Sequence, residues 1–181
     1  IDDKLLLGKS NPKSDIFDVI LFARRDIQKV DIPFNIKKIS SSAFDHCELL
    51  NSVNIPENSE LRTIDDYSFF ETYLNQINIT SNVVEIGKGA FEDCSLLEKV
   101  NISADSKLRL IGISSFRSTS ICSFTIPEHV SHIGNFAFSY SDVQIIEFSE
   151  NSKLKFINKL AFVEIDAIIM IPSVLKNKIS I

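Results

Sequence analysis

A hydrophobic–polar–hydrophobic triplet recurs seven times along the chain. The triplets are Val30-Asp31-Ile32, Val53-Asn54-Ile55, Ile77-Asn78-Ile79, Val100-Asn101-Ile102, Phe124-Thr125-Ile126, Ile146-Glu147-Phe148 and Ile169-Met170-Ile171, and they start 23, 24, 23, 24, 22 and 23 residues apart. Six units carry a second hydrophobe: Ile39, Ile64, Ile86, Ile111, Ile133 and Ile157. Five residues after it stands a phenylalanine, at Phe44, Phe69, Phe91, Phe116, Phe138 and Phe162. Each phenylalanine follows a small residue: Ala43, Ser68, Ala90, Ser115, Ala137 or Ala161. Period-two alternation predicts a short strand with two side chains inward and one outward. A coil of 20–29 residues cannot bury its own apolar face, and stacking such coils makes a continuous core. The pattern therefore predicts a solenoid of stacked 22–24-residue coils. One side is a parallel β-sheet; the other is short strands, turns and 3₁₀ pieces, with little regular helix. The phenylalanines should stack as a spine at roughly the 4.8 Å strand spacing.

Odd units link triplet to second hydrophobe by a short stretch, as in IPEHVSHI (126–133); even units use one two residues longer. The longer link produces the phrases ENSELRTIDDYSF (57–69), ADSKLRLIGISSF (104–116) and ENSKLKFINKLAF (150–162), so the underlying period is a pair of units. Residues 1–29 fit the repeat poorly and are expected to form an N-terminal cap. Residues 30–181 are expected to form the solenoid, six full repeats and a partial seventh, in what reads as a segment of a longer chain. Proline after the triplet (Pro33, Pro56, Pro127, Pro172) ends the strand there.

Composition narrows the function. With 181 residues, 44% hydrophobic and 24% charged, a packed core is affordable. A net charge of −5 argues against nucleic acid, whose phosphates require a basic stripe. No apolar run reaches the 18 residues of a membrane span. Cys47, Cys94 and Cys122 are an odd set with no disulfide-framework spacing, and none is expected to pair.

The pattern I-x-I-P…V-x-x-I-G-x-x-A-F-x-x-C-x-x-L, clearest in EIGKGAFEDCSLLEKVNI (85–102) and IPEHVSHIGNFAFSYS (126–141), resembles the BspA-like leucine-rich repeats of bacterial and protozoan surface proteins. The resemblance covers about residues 30–181 and implies a leucine-rich-repeat solenoid. It also implies a cell-surface or secreted location, with adhesion to host cells or matrix, and it supplies no catalytic residue and no cofactor. The cysteine after phenylalanine occurs only at Cys47 and Cys94 and is Thr72, Thr119, Ser141 and Ile165 elsewhere. The glycine after the second hydrophobe survives at Gly87, Gly112 and Gly134.

Enzyme chemistry finds no support. His129 and His132 flank Val130 and read as solvated residues rather than metal ligands. His46 next to Cys47 reads the same way, and the Arg pair of ARRD (23–26) reads as a solvated cap. The expected reading is a non-catalytic macromolecule-binding module of a surface protein, with a protein or glycan partner. An intracellular scaffold and the targeting domain of a larger enzyme are the alternatives. The candidate face is the outward middle column Asp31, Asn54, Asn78, Asn101, Thr125, Glu147 and Met170. One step earlier, Ile145 and Ile168 would join Met170 in an exposed apolar cluster. Asn78 and Asn101 head N-x-Thr/Ser tripeptides and are candidate glycosylation sites.

Overall fold

The computed structural model describes residues 4–175, and a solenoid of stacked coils makes up most of them. Each of six coils contributes one strand to a front face and one to a back face, and a seventh adds a front strand among the described residues. The front strands are β3 (Lys29–Asp31), β5 (Ser52–Asn54), β7 (Gln76–Ile79), β9 (Lys99–Ile102), β11 (Ser123–Ile126), β13 (Ile145–Phe148) and β15 (Ile168–Met170). The back strands are β4 (Lys38–Ile39), β6 (Thr63–Ile64), β8 (Glu85–Ile86), β10 (Leu110–Ile111), β12 (His132–Ile133) and β14 (Phe156–Ile157). They are preceded by β1 (Leu5–Gly8) and β2 (Val19–Ala23). Among the described residues the regular helix is a single 3₁₀ turn, Ser173–Leu175. The seventh unit continues into residues 176–181, which lie outside the described residues.

The back face is one eight-stranded sheet in the order β1-β2-β4-β6-β8-β10-β12-β14. Its second hydrophobes stand in register from Ile39 to Ile157. The front face is three sheets: β3-β5, β7-β9 and β11-β13-β15. The two interruptions coincide with the two 24-residue steps, 53 to 77 and 100 to 124.

Parallel stacking starts earlier than residue 30. Val19 and Ile20 of β2 pair in register with Lys38 and Ile39 of β4, so residues 17–29 supply a back-face rung. The antiparallel strand β1 covers β2. Asp18 ties this end together: the Ser10 hydroxyl and backbone N–H donate to its carboxylate at 2.6 and 2.7 Å, and Lys37 Nζ lies 3.2 Å away. These bonds, chiefly from Ser10, hold its pKa down from 3.8 to about 2. A lowered folded pKa stabilises the ionised, folded form, so the contribution is complete above the unfolded value and disappears as pH falls through the folded one. Asp18→Asn should therefore lower the urea midpoint at neutral pH, and the gap from wild type should narrow from pH 3.8 to close near pH 2.

The core is the phenylalanine spine. Phe44, Phe69, Phe91, Phe116 and Phe138 are fully buried. Successive centroids from Phe44 to Phe162 lie 4.8, 5.3, 5.4, 5.5 and 5.8 Å apart, with interplanar angles from 3° to 28°. The predicted spacing holds at the N-terminal end and opens toward the last ring, Phe162, which is only half-buried. In the fifth coil the triplet itself begins with Phe124, which meets Phe138 edge-on at 4.9 Å.

A third ladder runs beside the spine. Each of the first five spine phenylalanines is bracketed, two residues before and two after, by a residue with φ between 51° and 58°. Gly89 fills only one of these ten places; Ser42, Tyr67, Asp93 and Tyr140 are among the others. Left-handed backbone costs a non-glycine residue about 1 kcal/mol or more. The return is directional hydrogen bonding: Tyr67, Phe69 and Glu71 N–H donate to Lys88, Ala90 and Glu92 carbonyls of the next coil at 2.7, 2.9 and 3.1 Å. The small residue before each phenylalanine is the acceptor at the centre of this ladder, packed with no exposure. Where that residue is serine, its hydroxyl is orphaned: Ser68 Oγ and Ser115 Oγ are buried without a partner. A buried hydroxyl without a bond costs on the order of 1–3 kcal/mol. Ser68→Ala and Ser115→Ala should each raise the urea midpoint, by about 1 kcal/mol of stability. A fall would mean the hydroxyls are satisfied after all.

Candidate binding face

Front-strand alternation sets the geometry of the face. Asp31, Asn54, Asn78, Asn101, Thr125, Glu147 and Met170 are all exposed, while the residues flanking each point into the core. Lys29, Ser52, Gln76, Lys99, Ser123, Ile145 and Ile168 make a second exposed column. Within each two-stranded sheet the column bonds to itself. Asn54 Nδ2 donates to Asp31 Oδ1 at 2.8 Å, and Asn101 Nδ2 to Asn78 Oδ1 at 2.9 Å.

The character changes in the three-stranded sheet. Ile145 pairs directly with Ile168, and Glu147 with Met170. Ile145, Ile168 and Met170 are 38%, 68% and 52% exposed, so three large apolar side chains stand together on an open face with one carboxylate beside them. An exposed apolar cluster rimmed by polar residues is what a macromolecular contact uses.

Asn78 and Asn101 are exposed, but Thr80 is buried and its hydroxyl has no partner.

The structure disperses the residues that carry chemistry. His129 Nε2 lies 3.1 Å from Lys153 Nζ, and His132 contacts the Ser131 hydroxyl and the Phe156 ring. His46 contacts Asp45 and reaches Glu71 of the next coil at 3.2 Å, with its pKa raised chiefly by Asp45. Among the described residues no His/Cys/Asp/Glu group is arranged to hold a metal ion.

All three cysteines are unpaired. Burial pushes the Cys94 thiol up to about 11 and that of Cys47 upward, opposite to the lowered pKa of a nucleophilic cysteine. The thiol position instead serves the backbone. Thr72, Thr119 and Ser141 donate to the carbonyl of their own coil's phenylalanine at 3.1, 2.9 and 2.5 Å, and Cys94 donates to Phe69 of the coil before at 3.0 Å. Any small donor fits, which explains the interchange of Cys, Thr and Ser.

Two features escaped the sequence reading. Arg25 is not a solvated cap residue. It is half-buried, stacks 4.3 Å over Phe22, and donates to the carbonyls of Ala23, Ala43 and Ser42 at 3.1, 3.2 and 3.4 Å. Its neighbour Arg24 lies exposed and bonds Asp26 at 3.0 Å. The second is a groove of about 700 Å³ on the front face between β9 and β11, where the sheet is interrupted. The only sequence signal for it is the 24-residue step.

Comparison with known proteins agrees with this architecture. The repeat profile described as BspA type leucine rich repeat region matches residues 17–144 and 109–177, in six copies. No curated protein matches the sequence. Solved structures are similar, among them the following three. A leucine-rich repeat protein from Bacteroides ovatus superposes with a TM-score of 0.71 at 20% identity, over 95% of this chain and 53% of that one. The pneumococcal vaccine antigen PcpA gives 0.66 at 27% identity, over 68% and 31%. A leucine rich cell surface protein from Faecalibacterium prausnitzii gives 0.52 at 24% identity, over 70% and 40%. The chain thus spans about a third to a half of the solved proteins it matches. With stacked coils of one period, a phenylalanine spine and a profile match over most of its length, the chain belongs to the family of BspA type leucine rich repeat proteins.

Proposed function

We propose that this chain is a non-catalytic binding module of a cell-surface or secreted protein, attaching through its front face to a host-cell or matrix protein or its glycans. The observation that carries this reading is the exposed cluster of Ile145, Ile168 and Met170 beside Glu147, on a rigid sheet held by the phenylalanine spine. The similarity to the pneumococcal vaccine antigen PcpA supports the location. Burial raises the thiol pKa of Cys47 and Cys94, the reverse of what a nucleophilic cysteine needs, which favours a binding reading over a catalytic one.

Glu147→Lys combined with Met170→Asp tests it. Both positions are exposed, so the thermal melt should stay within the about 0.5 kcal/mol typical of surface sites. Attachment to immobilised matrix proteins or cultured epithelial cells should weaken at least tenfold. Lys155→Glu, exposed just before β14 on the back face, is the matched control and should bind as wild type. Binding retained by the double variant but lost in the control would move the site to the back face. Failure of the wild type to attach to any of these surfaces would sink the adhesion reading.

A further inference from the structure

We infer that the interruption between β9 and β11 is a slot for an extended, basic polypeptide segment, held by strand pairing with the open edges. The inference deepens the binding reading above by naming a partner chemistry for the middle of the same face. The observation beneath it is a set of unmet backbone groups. In each paired step of the front face, outward residues bond back to the preceding coil and inward residues bond forward: Lys99 N–H reaches the Asn75 carbonyl at 3.3 Å and Ser103 N–H reaches Ile79 at 3.1 Å. Among the described residues, no backbone bond crosses from β9 to β11. The alternation of a parallel ladder therefore leaves the N–H and C=O of Val100 and Ile102 on one wall, and of Ser123 and Thr125 on the other, facing the gap. An unpaired strand edge is a template for another strand.

Two further features keep the gap open. Val100 and Ile102 are half-exposed, whereas their counterparts Ile77, Ile79, Phe124 and Ile126 are buried. Pro127 also occupies the place from which Ser103 and Ser149 donate to the preceding coil at 3.1 Å. The Ile102 carbonyl therefore has no N–H to meet even if the walls approached. The groove is about 700 Å³. Its charged lining is Asp105, Glu128 and His129; Lys153 Nζ already lies 2.8 Å from Glu128 and 3.1 Å from His129, so Asp105 is the carboxylate open to an incoming cation. Strand edges recognise an extended backbone by its amides, with specificity from flanking side chains. Asp105, the lining carboxylate with no lysine or arginine on it among the described residues, favours a lysine or arginine in that segment.

The experiment has two arms on the whole chain. In the free protein, hydrogen exchange followed by NMR should find the amides of Val100, Ile102, Ser123 and Thr125 fast, and those of Lys99 and Asn101, which face β7, slow. Slow exchange at the first four would show a closed sheet and overturn the proposal. The second arm titrates the capped peptide Lys-Val-Thr-Val-Thr-Val-Lys. Shifts should concentrate on residues 100–106 and 123–129, and the four amides should gain protection. N-methylation of alternate peptide amides should weaken binding at least tenfold, and so should Asp105→Lys. No binding at millimolar peptide, or binding indifferent to N-methylation, would also overturn it. The Glu147→Lys, Met170→Asp protein should bind this peptide normally. Loss of cell attachment with peptide binding intact would therefore separate failure of the wider face from failure of the slot.

Discussion

Phe91→Ala is expected to destabilise the protein by about 3–5 kcal/mol, the cost of truncating a buried phenylalanine, and Phe116→Ala by a similar amount. Both rings have no exposure and are stacked on both sides, Phe91 between Phe69 at 5.3 Å and Phe116 at 5.4 Å, within 4° of parallel. The surroundings cannot collapse into the space. The backbone at Phe91 is tied forward to Ser115, and Phe69 N–H is tied to Ala90 on the other side, so the removed ring leaves a cavity. Phe162→Ala should cost visibly less, because that ring is half-buried and has a stacked neighbour, Phe138, only on its N-terminal side. The measurement is the urea midpoint of the three variants. Coils interact with nearest neighbours only, so the central substitutions should also broaden the transition by uncoupling the two halves. Equal midpoints for wild type and Phe91→Ala would falsify the spine as the source of stability.

Arg25→Ala is expected to cost about 1.5–3 kcal/mol, the range for hydrogen bonds that involve a charged group. In later coils the carbonyl of the residue before phenylalanine accepts from the preceding coil's spine N–H, as Ser68 does from Phe44. The first coil has no phenylalanine before it. Ala23 N–H supplies one bond to Ala43 at 2.8 Å, and the Arg25 guanidinium supplies further donors to Ala43 and Ser42. Removing it leaves carbonyls short of partners, takes the cation off the face of the already exposed Phe22 ring, and opens the space above the Cys47 thiol, 3.5 Å from the guanidinium. Arg25→Lys should recover less than half of the loss, since an ammonium cannot divide parallel donors between two carbonyls or stack on a ring. Faster modification of Cys47 by a thiol reagent in Arg25→Ala should accompany the lowered midpoint. Full rescue by lysine would show that charge alone matters at this end.

What the sequence determined by itself was periodic. Hydrophobic triplets at 22–24-residue steps can bury their inward residues only by stacking. That one constraint carried the solenoid, the outward identity of Asp31 through Met170, and the phenylalanine stack. It reached the free thiols as well, because Cys47 and Cys94 occupy equivalent places two coils apart.

Tertiary structure decided what depends on which groups lack a neighbour. Lys37 and Lys38 meet Asp18 at 3.2 Å and Asp65 at 2.6 Å across coil boundaries, partners that nothing in the local sequence marks. Arg25 read as solvated because nothing local marks it; its acceptors, Ser42 and Ala43, lie 17 and 18 residues away. The paired left-handed residues around each phenylalanine were hidden because nine of those ten places hold serine, tyrosine, acidic or other non-glycine residues, so no glycine pattern announced them. Steps of 24 and 23 residues look like one period in the sequence. In the fold, a single added residue coincides with the loss of strand pairing between β9 and β11. Backbone hydrogen bonds tolerate only a few tenths of an ångström of misplacement, far less than hydrophobic burial does, and so burial is legible in sequence while the open edge is not.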